Sequence, residues 1–151
     1  MESIDEQKAR QVWQRVHGAG SPHVDPTALI PLIMQESTDA AICLRLAKRL
    51  GGRGGPLLQL SRQCRQNAGC LRGICAIISG KPPLIPVPTP REEPPQTTLK
   101  KCYVNSLGRL RKYDGLSVDT DYGPVFEKLA SATREARSTI VSEMLRCCGI
   151  C

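Results

Sequence analysis

The sequence predicts an all-α fold: a four-helix bundle with a long crossover between its second and third helices, preceded by a short N-terminal helix. Three observations carry this reading. Apolar residues recur at three- and four-residue spacing over four long stretches of the chain. Glycine or proline punctuates the boundaries between them. Only five residues are aromatic, Trp13, Tyr103, Tyr113, Tyr122 and Phe126, so the core is aliphatic and sulfur-rich, which favours helices over a strand-rich barrel. At 151 residues the chain is sized for one main domain.

Each element follows from local residues. Over residues 4–17, Ile4, Ala9, Val12, Trp13 and Val16 share one side of a short helix that Gly18 and Gly20 end, so residues 1–24 read as a helix and loop ahead of a bundle over 25–151. Asp25 and Pro26 supply the cap and first-turn proline of a helix running to Leu50, before Gly51-Gly52. Pro31 falls early enough in that helix to trouble only its first turns. Pro56 opens a second helix that reaches about Ser79 and stops at Gly80. Residues 82–95 contain seven prolines and can be neither helix nor central strand, which makes 80–97 the crossover. Helical spacing resumes from about Leu99 to Leu116. The turn SVDTDYGP, with Asp121 or a neighbour as cap, then leads into a last helix over roughly Tyr122–Cys148.

The crossover passes a length test. A main helix of about 24 residues is roughly 36 Å long, and about 16 extended proline-rich residues reach about 50 Å. The linker can therefore span the whole bundle and set the two middle helices parallel, the layout of crossover bundles. A free proline-rich ligand for another domain is the alternative reading of the same segment.

The inward stripes identify the candidate site. Leu29, Ile33, Glu36, Ala40, Cys43, Ala47 and Leu50 line the first main helix, with a carboxylate at the centre of an apolar face. The second carries Leu57, Leu60, Cys64, Asn67, Leu71, Ile74 and Ile78. Leu99, Tyr103, Ser106, Leu110 and Tyr113 align on the third, and Phe126, Leu129, Thr133, Ala136 and Ile140 on the fourth. A single inward polar position on one helix and an i, i+3 pair on its partner therefore occur twice, as Glu36 with Cys64/Asn67 and Ser106 with Thr133/Ala136. Helical bundles hold two metal ions on this layout with Glu and Glu-x-x-His.

On ARQVWQRV, ESTDAAICLRLA, NAGCLRGI closing in ISGK, and DYGPVFEKLA, the chain resembles the ferritin-like superfamily, and within it the small rubrerythrin-type domains of anaerobic bacteria. These segments cover the main helices apart from the third, where CYVNSLGRLRKY is a weaker match. The resemblance implies a di-iron site, and one of its six ligands remains. Glu36 stands at the first carboxylate position; Cys64, Asn67, Ser106, Thr133 and Ala136 stand where the other carboxylates and both histidines would be. Iron requires hard oxygen donors, imidazole and offsetting negative charge. No acid occurs between Asp39 and Glu92, so no register of the second main helix restores its carboxylate. The expectation is a bundle with six vestigial metal-site positions, no catalytic residue and no cofactor. It would act as a structural or interaction module, through self-association or a protein partner. Iron binding through a shifted or incomplete set centred on Glu36 is the competing reading, with Glu127, Glu135 and Glu143 available on the last helix.

The remaining features weigh less. The formal charge is +7, and residues 40–91 hold Arg45, Lys48, Arg49, Arg53, Arg62, Arg65, Arg72, Lys81 and Arg91 without an acid; the third helix adds Lys100, Lys101, Arg109, Arg111 and Lys112. A basic polyanion-binding helical protein is the third reading, against an ordinary solvated face. The eight cysteines read mainly as buried, reduced thiols, with an oxidisable Cys148-Gly149-Ile150-Cys151 ending. Cys43 and Cys64 near Glu36 fall short of a tetrahedral zinc set. His17 and His23 read as loop residues. No basic segment leads into an apolar run at the start, and no run of 18 apolar residues occurs, so a cytoplasmic protein without membrane association is expected.

Overall fold

The bundle begins at a side-chain cap. Asp25 Oδ1 accepts from the Thr27 backbone N–H at 2.9 Å and from the Thr27 hydroxyl at 2.8 Å, which satisfies an N–H that the first helical turn leaves without a partner. The computed structural model describes residues 6–8, 24–86, 89–119 and 121–147. Of the helix expected over 4–17, only residues 6–8 fall within them, and these are helical. Trp13, His17, His23, Cys148 and Cys151 lie outside the described residues.

Helix α1 spans Pro26–Leu50. Pro31 is accommodated on the exposed side of the helix, as is Thr27, the residue whose carbonyl it deprives of an N–H partner. A positive φ of 59° at Gly51 ends the helix and feeds a 3₁₀ turn over Gly51–Arg53. Gly54 then lies directly on α1: a Cβ there would stand 2.3 Å from the Ala47 carbonyl oxygen. Helix α2 spans Gly55–Ser79 and closes on Gly80, which adopts a left-handed φ of 81° and donates its N–H to the Ala76 carbonyl.

Helix α3 spans Pro95–Leu116, so it starts four residues before the expected Leu99 and the crossover is shorter than 80–97. The Pro94-Pro95 pair is the reason: a proline in the first turn has no N–H to leave unsatisfied and its φ is already helical. Helix α4 spans Gly123–Cys147. Its approach is fixed by Asp119, not Asp121; Asp119 Oδ1 accepts from the backbone N–H groups of Asp121 and Tyr122 at 2.9 and 2.8 Å.

Two apolar clusters fix the topology. One joins Leu29, Leu32 and Ile33 at the start of α1 with Leu71, Ile74 and Cys75 at the end of α2, Tyr113 at the end of α3, and Phe126 and Leu129 at the start of α4. The other joins Cys43, Leu46 and Ala47 with Leu57 and Leu60, Leu99 and Cys102, and Ile140. Helices α1 and α2 are therefore antiparallel, as are α3 and α4. The middle helices run parallel, with α1 against α3 and α2 against α4. This is the expected crossover bundle. The linker is docked along α1: the Arg45 guanidinium donates to the Pro90 carbonyl at 2.7 Å and that of Arg49 to the Glu93 carbonyl at 3.1 Å. Among the described residues no helix is long and apolar enough to cross a membrane.

Candidate functional site

Between the two apolar clusters the helices bury charge. Glu36 and Asp39 lie one turn apart on α1 and are 1% and 3% exposed; Arg109 on α3 is 3% exposed. Arg109 Nε stands 3.2 Å from Glu36 Oε1 and Nη1 2.7 Å from Asp39 Oδ2. Neither N–H points along its contact, so the attraction is one of charge more than of aligned hydrogen bonds. Tyr113, one turn further along α3, donates its hydroxyl to Glu36 Oε1 at 2.7 Å, and Asn67 of α2 donates its amide to the same oxygen at 3.3 Å. Gln63 supports Asn67 from the preceding turn of α2, donating to its Oδ1 at 2.9 Å. Cys102 donates its thiol to Asp39 Oδ1 at 3.6 Å. Glu36 Oε2 is left buried without a donor among the described residues.

The electrostatics follow from burial. Removal from water raises the pKa of Glu36, and Arg109 and the Tyr113 hydroxyl only partly oppose it. Asp39 is raised for the same reason, again against Arg109. Burial works against the charge on Arg109, but the two carboxylates more than offset it and hold the guanidinium protonated. Burial also pushes up the Cys64 thiol and the Tyr113 hydroxyl, with the adjacent Glu36 charge acting in the same direction. Two carboxylates and one cation leave an excess negative charge in an apolar interior. One proton would neutralise it.

The six sequence-predicted positions divide. Glu36, Cys64 and Asn67 come together: Asn67 donates to Glu36, and Cys64 lies near enough for the Glu36 charge to act on its thiol. Ser106 is fully buried but donates to the Tyr103 carbonyl and accepts from Arg137 Nη1 at 2.9 Å. Thr133 is buried and turns its hydroxyl to the Leu129 carbonyl of its own helix. Neither bonds to Glu36. Ala136 is half-buried and lines an open groove of about 520 Å³ between α2 and α4, beside Leu60 and Gln63.

Several sequence expectations need correction. Arg109 is not part of a basic surface; it is the cation of the core. Asp39 and Cys102 are buried where the stripes omitted them, while Tyr103, Leu110, Ile78 and Leu50 are only half-buried. Tyr103 instead receives the Arg137 guanidinium over its ring at 4.2 Å. Arg109, Tyr113 and Asn67 all converge on Glu36 Oε1. The available signal was spacing joined to charge: Arg109 lies three residues after Ser106 and four before Tyr113, a position that spacing alone shares with Leu110, and only the buried carboxylates of α1 choose between them.

The donor set does not fit iron. A protonated guanidinium stands between the two carboxylates, and Cys64, Asn67, Ser106, Thr133 and Ala136 offer no imidazole and no further carboxylate. Among the described residues no group of three or more His, Cys, Asp or Glu side chains is arranged to hold a metal ion. Comparison with family models, with curated protein sequences and with solved structures found no match.

Proposed function

We propose that this chain is a ferritin-like bundle in which an arginine stands in for the metal cations, and that it serves as a non-catalytic structural or interaction module. The ferritin-like reading is supported by the parallel middle helices, the long crossover and the inward polar positions on facing helices. One observation carries the functional half of the proposal: Arg109 sits between Glu36 and Asp39 in the interior. Its positive charge is fixed, so it offsets the carboxylates without any exchangeable ligand position. The centre then has neither the coordination sites nor the redox partner that di-iron chemistry demands. Its remaining role is to hold α1, α2 and α3 in one register, and the outside of the bundle is left to meet partners, whether a second copy of the chain or another protein.

Metal analysis of protein purified without oxygen, with and without added Fe(II), tests this reading. The expected result is no stoichiometric iron and no change between wild type and Glu36→Ala. About two metals per chain, lost in Glu36→Ala, would overturn it in favour of an iron protein with an incomplete ligand set.

A further inference from the structure

Between Pro26 and Gly80 the chain contains only two carboxylates, Glu36 and Asp39, and both are buried. The exposed surface of the α1–α2 hairpin therefore carries no acidic side chain. Lys48, Arg53, Arg62, Arg65 and Arg72 are all exposed on it, and none has an ion-pair partner among the described residues. Arg62, Arg65 and Arg72 fall within an arc of about 80° on α2 and span about 15 Å along it, at 100° and 1.5 Å per residue. Lys48 extends the positive charge onto the last turn of α1, and Arg53 onto the turn between the helices, where it also borders a groove shared with Glu143 and Arg146 at the end of α4. The α3–α4 hairpin differs. There the exposed charges are mixed, as where Arg134 pairs with Asp114 and Lys128 follows Glu127.

We propose that the outer face of the α1–α2 hairpin binds the phosphate backbone of duplex nucleic acid. Four of its five unpaired cations are arginines, whose planar fork grips phosphate oxygens in pairs. A row of cations without intervening anions matches a row of phosphates, and it is driven by release of the counterions condensed on them. Single strands fit less well, since they are held by stacking on aromatic rings and no aromatic residue occurs between Pro26 and Cys102. A membrane surface fits less well too. Met34 and Ile77 are the exposed large hydrophobics of the described hairpin, and two separate side chains do not form the apolar face of an interfacial helix. This binding stands independently of whether the core holds metal.

The test is fluorescence anisotropy with a random-sequence DNA duplex of about 20 base pairs, titrated from about 50 mM salt upward. About five phosphate contacts predict a slope near −4.5 for log affinity against log salt, at about −0.9 per contact. The triple variant R62E/R65E/R72E should lose at least about tenfold in affinity at low salt and flatten the slope, while K112E/K128E on the other hairpin retains both. Circular dichroism checks that the variants fold, and variants that unfold are replaced by R62Q/R65Q/R72Q, for which the same loss is expected. Absence of binding by wild type at about 50 mM salt, or an equal loss in both sets of variants, overturns the proposal. So does binding to phosphatidylserine vesicles that exceeds binding to the duplex.

Discussion

Arg109 and Asp39 face each other across the α1–α3 contact, with Nη1 2.7 Å from Oδ2 and both side chains almost entirely out of water. Such a pair is weak evidence of stabilisation over an apolar core, because desolvating two charges costs about as much as their attraction returns. Breaking it is another matter. Without Arg109 the carboxylates are buried charges with no counter-ion among the described residues, and the penalty falls on the folded state alone.

Arg109→Met removes the only cation the described structure sets against Glu36 and Asp39. The variant should lose about 3–5 kcal/mol of stability. Urea unfolding followed by circular dichroism reads this loss, and a midpoint equal to wild type would show that the carboxylates do not depend on Arg109.

Tyr113→Phe should cost about 1–3 kcal/mol, because it leaves Glu36 Oε1 short of its best-formed hydrogen bond while the ring still fills the same space. The same unfolding measurement applies. A loss as large as that expected of Arg109→Met would mean that the hydroxyl, not the guanidinium, organises the centre.

The pH dependence of stability has a definite sign. Burial raises the folded pKa of Glu36 and Asp39 above their ordinary values of 4.5 and 3.8, so the folded state holds its proton where the unfolded state has released it. Their contribution is complete below the ordinary carboxylate range and is lost as pH rises through the raised folded values. Wild type should therefore melt at a lower temperature as pH climbs from about 4 toward neutrality. In Glu36→Gln that decline should shrink. A wild-type melting temperature that rises over the same interval would count against an excess buried negative charge.

The thiols should separate by burial. Cys70 is exposed, whereas Cys43, Cys64, Cys75 and Cys102 are buried. In a variant with Cys147, Cys148 and Cys151 replaced by serine, a thiol-specific reagent should modify one cysteine promptly in native protein and the other four only on unfolding. Prompt modification of Cys64 or Cys102 would show that water reaches the centre of the bundle.

The helices, their glycine and proline boundaries and the parallel middle pair were legible because their causes are local: a cap at Asp25, a left-handed Gly80, a linker long enough to span the bundle. The centre was legible only in part. Glu36, Cys64 and Asn67 could be brought together by spacing alone, since each has a single inward register on its helix. On α3 spacing was ambiguous. With 3.6 residues per turn a three-four stripe through Leu99, Ser106 and Tyr113 can pass through Cys102 and Arg109 or through Tyr103 and Leu110. Apolarity favoured Tyr103 and Leu110. The chain takes Cys102 and Arg109 because two buried carboxylates on α1 need a cation, a demand that hydrophobic periodicity does not register. Asp39, one turn after Glu36, is hidden from hydrophobic periodicity for the same reason.

The most direct test of the arginine-centred core is a double-mutant cycle in unfolding free energy between Arg109→Met and Asp39→Leu. The double variant should be more stable than the sum of the two single losses predicts, by about 2 kcal/mol or more, because removing Arg109 then strands one buried carboxylate, Glu36, instead of two. Single losses that add to within about 0.5 kcal/mol would contradict it, and would remove the reason to regard Arg109 as the cation of this bundle.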